Sequence, residues 1–336
     1  MDLTAQTLSH PARARSRWLR WFDGVGIDDV PLVGGKNASL GEMVRALAPC
    51  GIRVPNGFAV TAQAYREVLD LADAWPALHR ALDGMDVRDV SDLAARARAA
   101  RDIVAQAPLP DELVREIIGA WRRLQAQYGP HLSVAVRSSA TAEDLPDASF
   151  AGQHETFLNV DGEAQLLDSV RQCFASLFKD RAIAYRADRG IDHFKVSQSV
   201  GVMKMVRADR ACSGVTFTLD TETGFRDVVF VTGAWGLGEN VVQGTVDPDE
   251  FYVFKPALRA GHRTVLRRNL GGKEVRMVYA STAGRDSTRN VPTSPEERGR
   301  YCLEDGEVVE LAEAAMRIEE HYSERAGKPT PMDVEW

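Results

Sequence analysis

The chain of 336 residues has only four cysteines, and no two of them form a CxxC pair. Thiols dispersed in this way argue against a metal cluster or a disulfide framework, and they suit a reducing cytoplasm. The sequence also lacks any apolar run of about 18 residues, so it predicts no membrane-spanning helix. Positive charge is not in excess, because 41 lysines and arginines face 48 acidic residues, for a formal net charge of −7. That balance argues against a nucleic-acid-binding surface, which needs clustered cations.

The overall composition, with 44% hydrophobic and 26% charged residues, is typical of a globular protein. The length favours two lobes, which we predict over residues 21–130 and 131–336. Residues 1–20 carry four arginines but no apolar core of a secretory signal. They predict a disordered N-terminal extension, with a transit peptide as the alternative.

Apolar periodicity predicts a mixed α/β (α+β) fold. In the first lobe, a glycine turn at 33–36 leads into a helix, and Thr61 caps a helix that ends at Leu71. Residues 89–128 predict a helical insertion that Pro108 and Pro110 divide into two helices. In the second lobe we expect a long helix over 163–188, a helix from Glu304 to His321, polar loops over 138–150 and 271–295, and strands at 133–137, 156–160, 196–206, 214–219, 228–232, 250–254 and 331–336.

The Gly34-Gly35-Lys36 segment is the first candidate binding motif. Glycines allow the backbone to approach a polyphosphate, the following helix N-terminus favours anions, and the lysine adds a mobile positive charge. The segment does not match the P-loop pattern. The alternative is an ordinary glycine turn before a helix.

The second motif begins with Arg137 at the end of a predicted strand and continues into a segment rich in hydroxyls. An arginine in this position can bind phosphate oxygens with both of its terminal nitrogens. The candidate ligand-binding residues here are Arg137, Ser138, Ser139 and Thr141. The alternative is an arginine paired with Glu143 or Asp144.

The third motif is Asp333-Val334-Glu335, in which the two carboxylates project from one face of a predicted strand. Two hard oxygen ligands of this kind suit a magnesium ion that also binds phosphates and water. Glu239 is a candidate third carboxylate or nucleotide contact. The alternative is the solvent-facing side of an edge strand.

Lys204 lies in a fourth segment, where strand alternation separates it from Met203 and Met205. The lysine could contact a phosphate or the adenine region, and the methionines could line an apolar slot or pack in the core. No histidine has a recognisable catalytic setting, so we assign no catalytic residue on this chain.

Taken in order, these segments resemble the N-terminal nucleotide-binding domain of the pyruvate, water dikinase (phosphoenolpyruvate synthase) family. The resemblance covers about residues 21–336 and rests on segments 21–22, 33–43, 54–58, 136–146, 149–153, 213–215, 220–225, 236–239, 246–250 and 331–336. The wording NASLGEM at 37–43 and DTETGF at 220–225 favours the synthases over the related pyruvate phosphate dikinases and rifampicin phosphotransferases.

The resemblance implies an ATP-grasp-like fold in which Lys36 and Arg137 hold the phosphates of ATP. It further implies that Glu239, Asp333 and Glu335 serve magnesium or the nucleotide. In the complete enzymes, ATP phosphorylates a histidine on a swivelling domain, giving AMP and inorganic phosphate. The phosphohistidine then reaches a barrel domain, where pyruvate becomes phosphoenolpyruvate.

The sequence departs from the family pattern at several points. It ends at Trp336, before a Gln-x-Arg segment that contacts ATP in the family, and neither the histidine domain nor the barrel is present. Met203 replaces a usual glutamine, and the approach to the last strand is longer at 323–330. We therefore expect a fragment, a truncated gene or one subunit of a split enzyme. A non-catalytic nucleotide-sensing module remains an alternative, and tight nucleotide binding is left open.

Overall fold

A computed structural model describes residues 16–141, 155–280 and 288–336, and these residues form helices and antiparallel strands. The strands are β1 Leu19–Trp21, β2 Gly57–Val60, β3 Val134–Ala140, β4 Thr156–Val160, β5 Gln198–Lys204, β6 Cys212–Phe217, β7 Val228–Trp235, β8 Asp249–Phe254, β9 Arg267–Asn269, β10 Val275–Tyr279, β11 Thr288–Pro292 and β12 Asp333–Glu335. The helices are α1 Val30–Glu42, α2 Ala62–Leu71, α3 Trp75–Leu82, α4 Val90–Gln106, α5 Asp111–Tyr128, α6 Glu163–Ala175, α7 Asp180–Asp188, α8 Glu239–Val242, α9 Lys255–Arg259, α10 Pro295–Arg298 and α11 Asp305–Ala326. The predicted mixed α+β class is confirmed.

The chain divides into two compact units. Of the described residues, the first unit takes in those within 16–45, 56–156 and 162–204, and the second takes in those within 46–55, 157–161 and 205–336. The division differs from the boundary predicted near residue 130. The reason is that β3 and β5 are hydrogen-bonded into the same sheet as β2, which keeps the chain up to Lys204 in the first unit.

Within the first unit, sheet A has the strand order β1-β2-β5-β3. Adjacent pairs among these four strands run antiparallel. The side chains of Trp18 and Leu19 are buried, and Leu19 lies opposite Val60 in the ladder. Residues 18–20 therefore belong to the fold, which corrects this end of the predicted disordered extension, while residues 1–15 lie outside the described ranges.

The helices around sheet A follow their local sequence signals. Thr61 caps α2 as predicted, because its hydroxyl accepts a hydrogen bond from the Ala64 amide at 3.2 Å. The proline-containing segment 107–110 separates α4 from α5, also as predicted. Each of the two helices buries a stripe at intervals of three and four residues, with Leu93, Ala97, Ala100 and Val104 in α4 and Leu113, Ile117, Ala120, Trp121 and Leu124 in α5.

The long helix predicted over 163–188 is interrupted. Between α6 and α7 lies a short 3-10 turn, and Lys179 adopts an extended conformation with φ −65° and ψ 146°. The break buries Phe178 and directs the carbonyl of Leu177 toward the Arg186 guanidinium, which donates to it at 2.7 Å. A tertiary contact has therefore overridden a continuous helical pattern.

Sheet B, in the second unit, has the order β12-β6-β7-β8-β9, and every neighbouring pair is antiparallel. One of its faces packs on the predicted C-terminal helix, which extends to Ala326 as α11. The shared core contains Val229, Val231, Phe251 and Val253 from the strands and Val308, Val309, Ala312, Ala315 and Met316 from the helix.

The segment predicted as a polar loop over 271–295 contains a two-stranded ribbon. Strands β10 and β11 pair antiparallel, from Val275 opposite Pro292 to Tyr279 opposite Thr288. The Leu237 amide also donates to the Met277 carbonyl at 2.9 Å, which ties the ribbon to the end of β7. The polar composition did not indicate these strands, because they pair with each other and with the turn after β7 and not with a strand of a larger sheet. Residues 281–287 lie outside the described ranges.

Two of the four cysteines approach each other although 90 residues separate them in sequence. The thiol of Cys212 in β6 donates a hydrogen bond to the carbonyl oxygen of Cys302 at 3.2 Å, and all four thiols are free. Sequence spacing alone gave no sign of this contact. Within the described ranges, no helix is long and apolar enough to cross a membrane.

Candidate functional site

The glycine turn lies inside α1 and brings that helix onto sheet A. Gly34 has φ +74°, a left-handed conformation that interrupts the helix. A Cβ atom at Gly34 would lie 2.6 Å from the carbonyl carbon of Ser139 in β3. Glycine is therefore required both by the backbone conformation and by the close approach to β3.

A buried polar network fixes the helix in this position. The side-chain amide of Asn37 donates to the Val33 carbonyl at 2.9 Å and to the Ser199 hydroxyl at 3.2 Å. The Asn37 backbone N–H donates to the Ser139 hydroxyl at 3.4 Å. These contacts join α1 to both β3 and β5, the two central strands of sheet A.

Lys36 and Arg137 belong to the same side of sheet A. Arg137 pairs with Gly201 and Ser139 pairs with Ser199, so these four residues share one face of the sheet. That is the face on which α1 lies, since Asn37 contacts Ser139 and Ser199. Lys36 is exposed on α1. The structure thus places Arg137 on the face of sheet A that is covered by the helix carrying Lys36.

The predicted hydroxyl ligands are engaged within the fold. Ser138 projects from the opposite face and accepts from the Glu155 amide at 2.9 Å. Ser139 accepts from Asn37, and Thr141 accepts from the Ser197 amide at 3.2 Å. Strand β3 thus continues through Ala140, three residues into the predicted loop. The rest of that loop up to residue 154, including Glu143, Asp144 and the 149–153 segment, lies outside the described residues.

Lys204 ends β5, and its ammonium group lies 4.5 Å from the centre of the Tyr128 ring. This arrangement is a cation–π contact. The neighbouring Met203 projects to the other face and packs against the core that includes Phe22 and Val33. Met203 therefore packs in the core, which was one of the two alternatives predicted for it.

Asp333 and Glu335 lie on β12, at the edge of sheet B, as the sequence predicted for a final strand. Asp333 pairs with Phe217 and Glu335 pairs with Val215, and both acidic residues are exposed. Alternation places their side chains on one face, opposite to the face that packs on α11. The carboxylate pair therefore has the shared direction that the motif requires.

Trp336 secures this edge strand to the sheet. Its amide and carbonyl exchange hydrogen bonds with Gly214 at 3.0 and 3.1 Å. A Cβ atom at Gly214 would lie 2.7 Å from the Trp336 ring, and one at Gly233 would lie 3.1 Å from it. The two glycines leave the space that the indole occupies, so they position the carboxylates through the strand.

An aromatic row crosses the same face as the carboxylates, and the sequence motifs gave no indication of it. Phe217, Phe230 and Tyr252 are consecutive partners across β6, β7 and β8. Their rings stack with centroid separations of 6.1 and 4.8 Å, and the Arg267 guanidinium lies 5.4 Å from the Tyr252 ring. Since Asp333 pairs with Phe217, the row runs from a carboxylate to a cation.

The turn formed by the DTETGF segment lies beside this row. The Thr223 hydroxyl donates to the Asp220 carboxylate at 2.5 Å, and this hydrogen bond lowers the pKa of that carboxyl. Burial, with the nearby charges of Glu250 and Asp220, raises the pKa of the Tyr252 phenol. The turn therefore adds negative charge at the Tyr252 end of the row.

Glu239 begins the short helix α8, directly after a tight turn. Gly236 has φ +89°, and its carbonyl accepts from the Ser213 hydroxyl at 2.6 Å. The Glu239 carboxylate is exposed and accepts from the Gln243 side chain at 2.9 Å. In the described residues, no three His, Cys, Asp or Glu side chains form a metal-binding group. The role of Glu239 as a third carboxylate or a nucleotide contact stays a prediction.

Comparison with protein families assigns the chain. Residues 30–336 match the family model described as the pyruvate phosphate dikinase AMP/ATP-binding domain. The chain belongs to this family. The match includes Lys36, Arg137 and both carboxylates of β12, and it agrees with the family resemblance seen in the sequence motifs.

Curated relatives from bacteria carry the name phosphoenolpyruvate synthase. The chain is 54% identical to the one from Pseudomonas aeruginosa, over 94% of this chain and 39% of the relative. It is 50% identical to the Helicobacter pylori protein, over 95% and 40%, and 50% identical to the Escherichia coli protein, over 94% and 39%. The chain spans about 40% of the length of the curated relatives that it matches.

Proposed function

We propose that this chain binds ATP with magnesium and donates a phosphoryl group, as the nucleotide-binding part of a phosphoenolpyruvate synthase. In the proposed reaction, ATP and water give AMP, inorganic phosphate and a phosphohistidine on a swivelling domain, so that both phosphoanhydride bonds of ATP are broken. A pyruvate-binding barrel then forms phosphoenolpyruvate. The observation that carries the proposal is that Arg137 projects from the face of sheet A on which α1, the helix of Lys36, lies.

Electrostatics favours this use of the two cations. Phosphoryl transfer demands little covalent chemistry from the protein, and catalysis comes mainly from positioning and from neutralising charge on the phosphates. Arg137 offers a planar, permanently charged group, whereas Lys36 offers an exposed ammonium on a long side chain. Together they would hold the phosphates and keep their orientation. Ser139, Thr141 and Glu239 remain proposed nucleotide contacts, whereas Ser138 and Lys204 project from the face of sheet A opposite to Arg137.

The carboxylates of β12 fit a magnesium ion. Magnesium in phosphate sites takes one or two carboxylates and completes its octahedron with phosphate and water oxygens. Asp333 and Glu335 supply two such oxygens from one exposed strand face. A bound ion would neutralise phosphate charge, which is the chemistry that Lys36 and Arg137 also support.

The relatives favour a synthase among the related enzymes. The family description names a pyruvate phosphate dikinase domain, while relatives at about half identity are named phosphoenolpyruvate synthase. We therefore prefer the synthase to a rifampicin phosphotransferase or a dikinase that uses phosphate. A nucleotide-sensing module would bind ATP equally well but would transfer no phosphoryl group.

Isothermal titration with ATP, in the presence and absence of Mg²⁺, tests the binding. We expect Lys36→Ala to weaken ATP binding roughly tenfold to a hundredfold, because a charge-assisted contact is lost. Lys195→Ala removes an exposed lysine of the same unit and should leave the affinity unchanged. Absence of ATP binding in a folded wild-type sample at millimolar nucleotide would refute the proposal.

The same titration distinguishes the contribution of Mg²⁺ to ATP affinity from the contribution of Lys36 and Arg137. Asp333→Asn combined with Glu335→Gln should abolish the gain in ATP affinity that Mg²⁺ gives to the wild type. Glu313→Gln with Glu320→Gln removes two charges from α11 and should retain that gain. If both double variants respond to Mg²⁺ like the wild type, Asp333 and Glu335 do not hold the ion.

Transfer is tested by adding the histidine-bearing domain of the Pseudomonas aeruginosa relative as a separate chain. We expect AMP, phosphate and an acid-labile phosphohistidine to appear together. Formation of ADP in their place would contradict the proposed reaction. ATP binding without any transfer would favour the nucleotide-sensing module.

A further inference from the structure

Asn37 follows the exposed Lys36 directly in α1 and is itself buried, with 2% of its surface exposed. Both hydrogens of its side-chain amide are used, toward the Val33 carbonyl and the Ser199 hydroxyl. A buried amide with satisfied donors resists rotation, because any other orientation would leave polar atoms unpaired. The side chain therefore fixes the helix that carries Lys36.

The network continues into the sheet through Ser199. The Ser199 hydroxyl donates to the Val60 carbonyl at 2.7 Å, so it accepts from Asn37 with its lone pairs. The chain of hydrogen bonds thus runs from α1 through β5 to β2. Linked hydrogen bonds of this kind polarise and strengthen one another in a buried setting.

Shape complements the hydrogen bonds at Gly201, the strand partner of Arg137. A Cβ atom at Gly201 would collide with Oδ1 of Asn37 and would lie 3.2 Å from its Cγ. The carboxamide therefore occupies the space beside the backbone opposite Arg137. Because Asn37 sits there, the orientation of α1 about its axis is set relative to the strand pair that carries the guanidinium.

We propose that Asn37 is a positioning residue of the phosphate site, holding Lys36 on the face of sheet A from which Arg137 projects. The inference rests on the ATP binding proposed above. Preorganised charges bind a polyphosphate more tightly than the same charges on a loosely held turn, since less order is lost on binding. Asn37 acts through Lys36 and touches no ligand itself.

A positioning role predicts a selective loss. Asn37→Ala should weaken ATP binding roughly tenfold, which corresponds to one well-placed phosphate contact. Binding of AMP, which lacks the two outer phosphates, should change less than twofold. Ser199→Ala keeps the Asn37 carboxamide and removes one of its hydrogen-bond acceptors. It should therefore weaken ATP binding more than AMP binding, with a smaller loss of ATP affinity than Asn37→Ala. This variant replaces Asn37→Ala in the test if Asn37→Ala does not fold.

A double-mutant cycle with Lys36 provides the decisive readout. If Asn37 acts through Lys36, the Lys36→Ala/Asn37→Ala variant should bind ATP as Lys36→Ala alone does. Additive losses, or equal losses for ATP and AMP, would overturn the inference in favour of a purely structural role. Ser176→Ala removes a buried hydroxyl elsewhere in the first unit and should lower stability without changing the ratio of ATP to AMP affinity.

The outcomes for the wild type separate the two proposals. If the wild type binds no ATP, the proposed function fails and the inference fails with it. If the wild type binds ATP and Asn37→Ala binds it equally well, the inference alone is wrong.

Discussion

In the first unit, uncharged buried side chains hold the helix of Lys36 against sheet A, whereas in the second unit buried ion pairs brace the sheet that carries Asp333 and Glu335. The first unit relies on Asn37 and Ser199. The second contains the pair of Lys273 and Asp249, whose side chains are both fully buried, and a second pair of Lys255 with Glu319.

The contrast has an energetic meaning. Loss of one partner from a neutral hydrogen bond leaves a polar group unpaired, at a cost of about 1–3 kcal/mol. Loss of one partner from a buried ion pair leaves a charge without compensation, which costs about 3–5 kcal/mol. The first unit also buries the Arg186 guanidinium, but this cation donates to a carbonyl and to the neutral ring of His193. We therefore expect the second unit to be more sensitive to single substitutions of buried polar residues.

The largest effect is expected for Lys273→Met. The Asp249 carboxylate would lose its cation while still accepting from the Gly271 and Cys302 amides. We expect a loss of about 3–5 kcal/mol in the free energy of unfolding, measured with urea. Lys179→Met breaks a partly exposed pair with Glu155 and should cost about 1 kcal/mol or less. Similar losses for the two variants would remove the contrast between the units.

A smaller effect is expected for Gly214→Ala, which tests how β12 is held. The added methyl would meet the Trp336 ring and the Thr232 backbone, so overpacking should cost about 1–3 kcal/mol. Faster hydrogen exchange at the Trp336 amide, which bonds to Gly214, should accompany the loss. Gly306→Ala has open space around it and should be neutral or slightly stabilising. Unchanged exchange in Gly214→Ala would show that the indole does not secure the strand.

In the first unit, Thr61→Ala should cost about 1 kcal/mol, because the N-cap of α2 is lost. Thr61→Ser keeps the capping hydroxyl and should remain close to the wild type in urea unfolding. A loss for Thr61→Ala as large as that for Lys273→Met would mean that the first unit is no more tolerant than the second.

A final prediction concerns pH and the His193 contact with Arg186. Burial, together with the Arg186 charge, lowers the pKa of His193 from 6.5 to about 4. As the pH falls from 6.5 toward 4, the unfolded chain binds a proton at His193 that the folded chain does not, so stability declines over this range. His193→Gln should make this decline shallower, as measured by urea unfolding at several pH values. Identical slopes for the two proteins would refute the assignment.

Several elements follow directly from local sequence. Three local features were predicted correctly, namely the Thr61 cap, the prolines between α4 and α5 and the apolar stripe of α11. Each depends on residues close together in sequence, so it can be predicted without knowledge of the tertiary structure. The ribbon of β10 and β11 and the break before α7 were not predicted correctly. The ribbon depends on the pairing of its two strands and on the contact of Leu237 with Met277, and the break depends on the hydrogen bond from Arg186 to the Leu177 carbonyl.

The candidate site shows the same division. The sequence by itself determined the chemistry, namely a glycine turn with Lys36, a strand with Arg137 and two carboxylates in alternation, because residue type and spacing are local properties. Only the tertiary structure decided that Ser138 projects away from Arg137, that Asn37 locks α1 to β5 and that an aromatic row continues from Asp333. The physical reason is that strand register and helix docking are set by contacts between distant segments, and these have no signature in any single stretch of sequence.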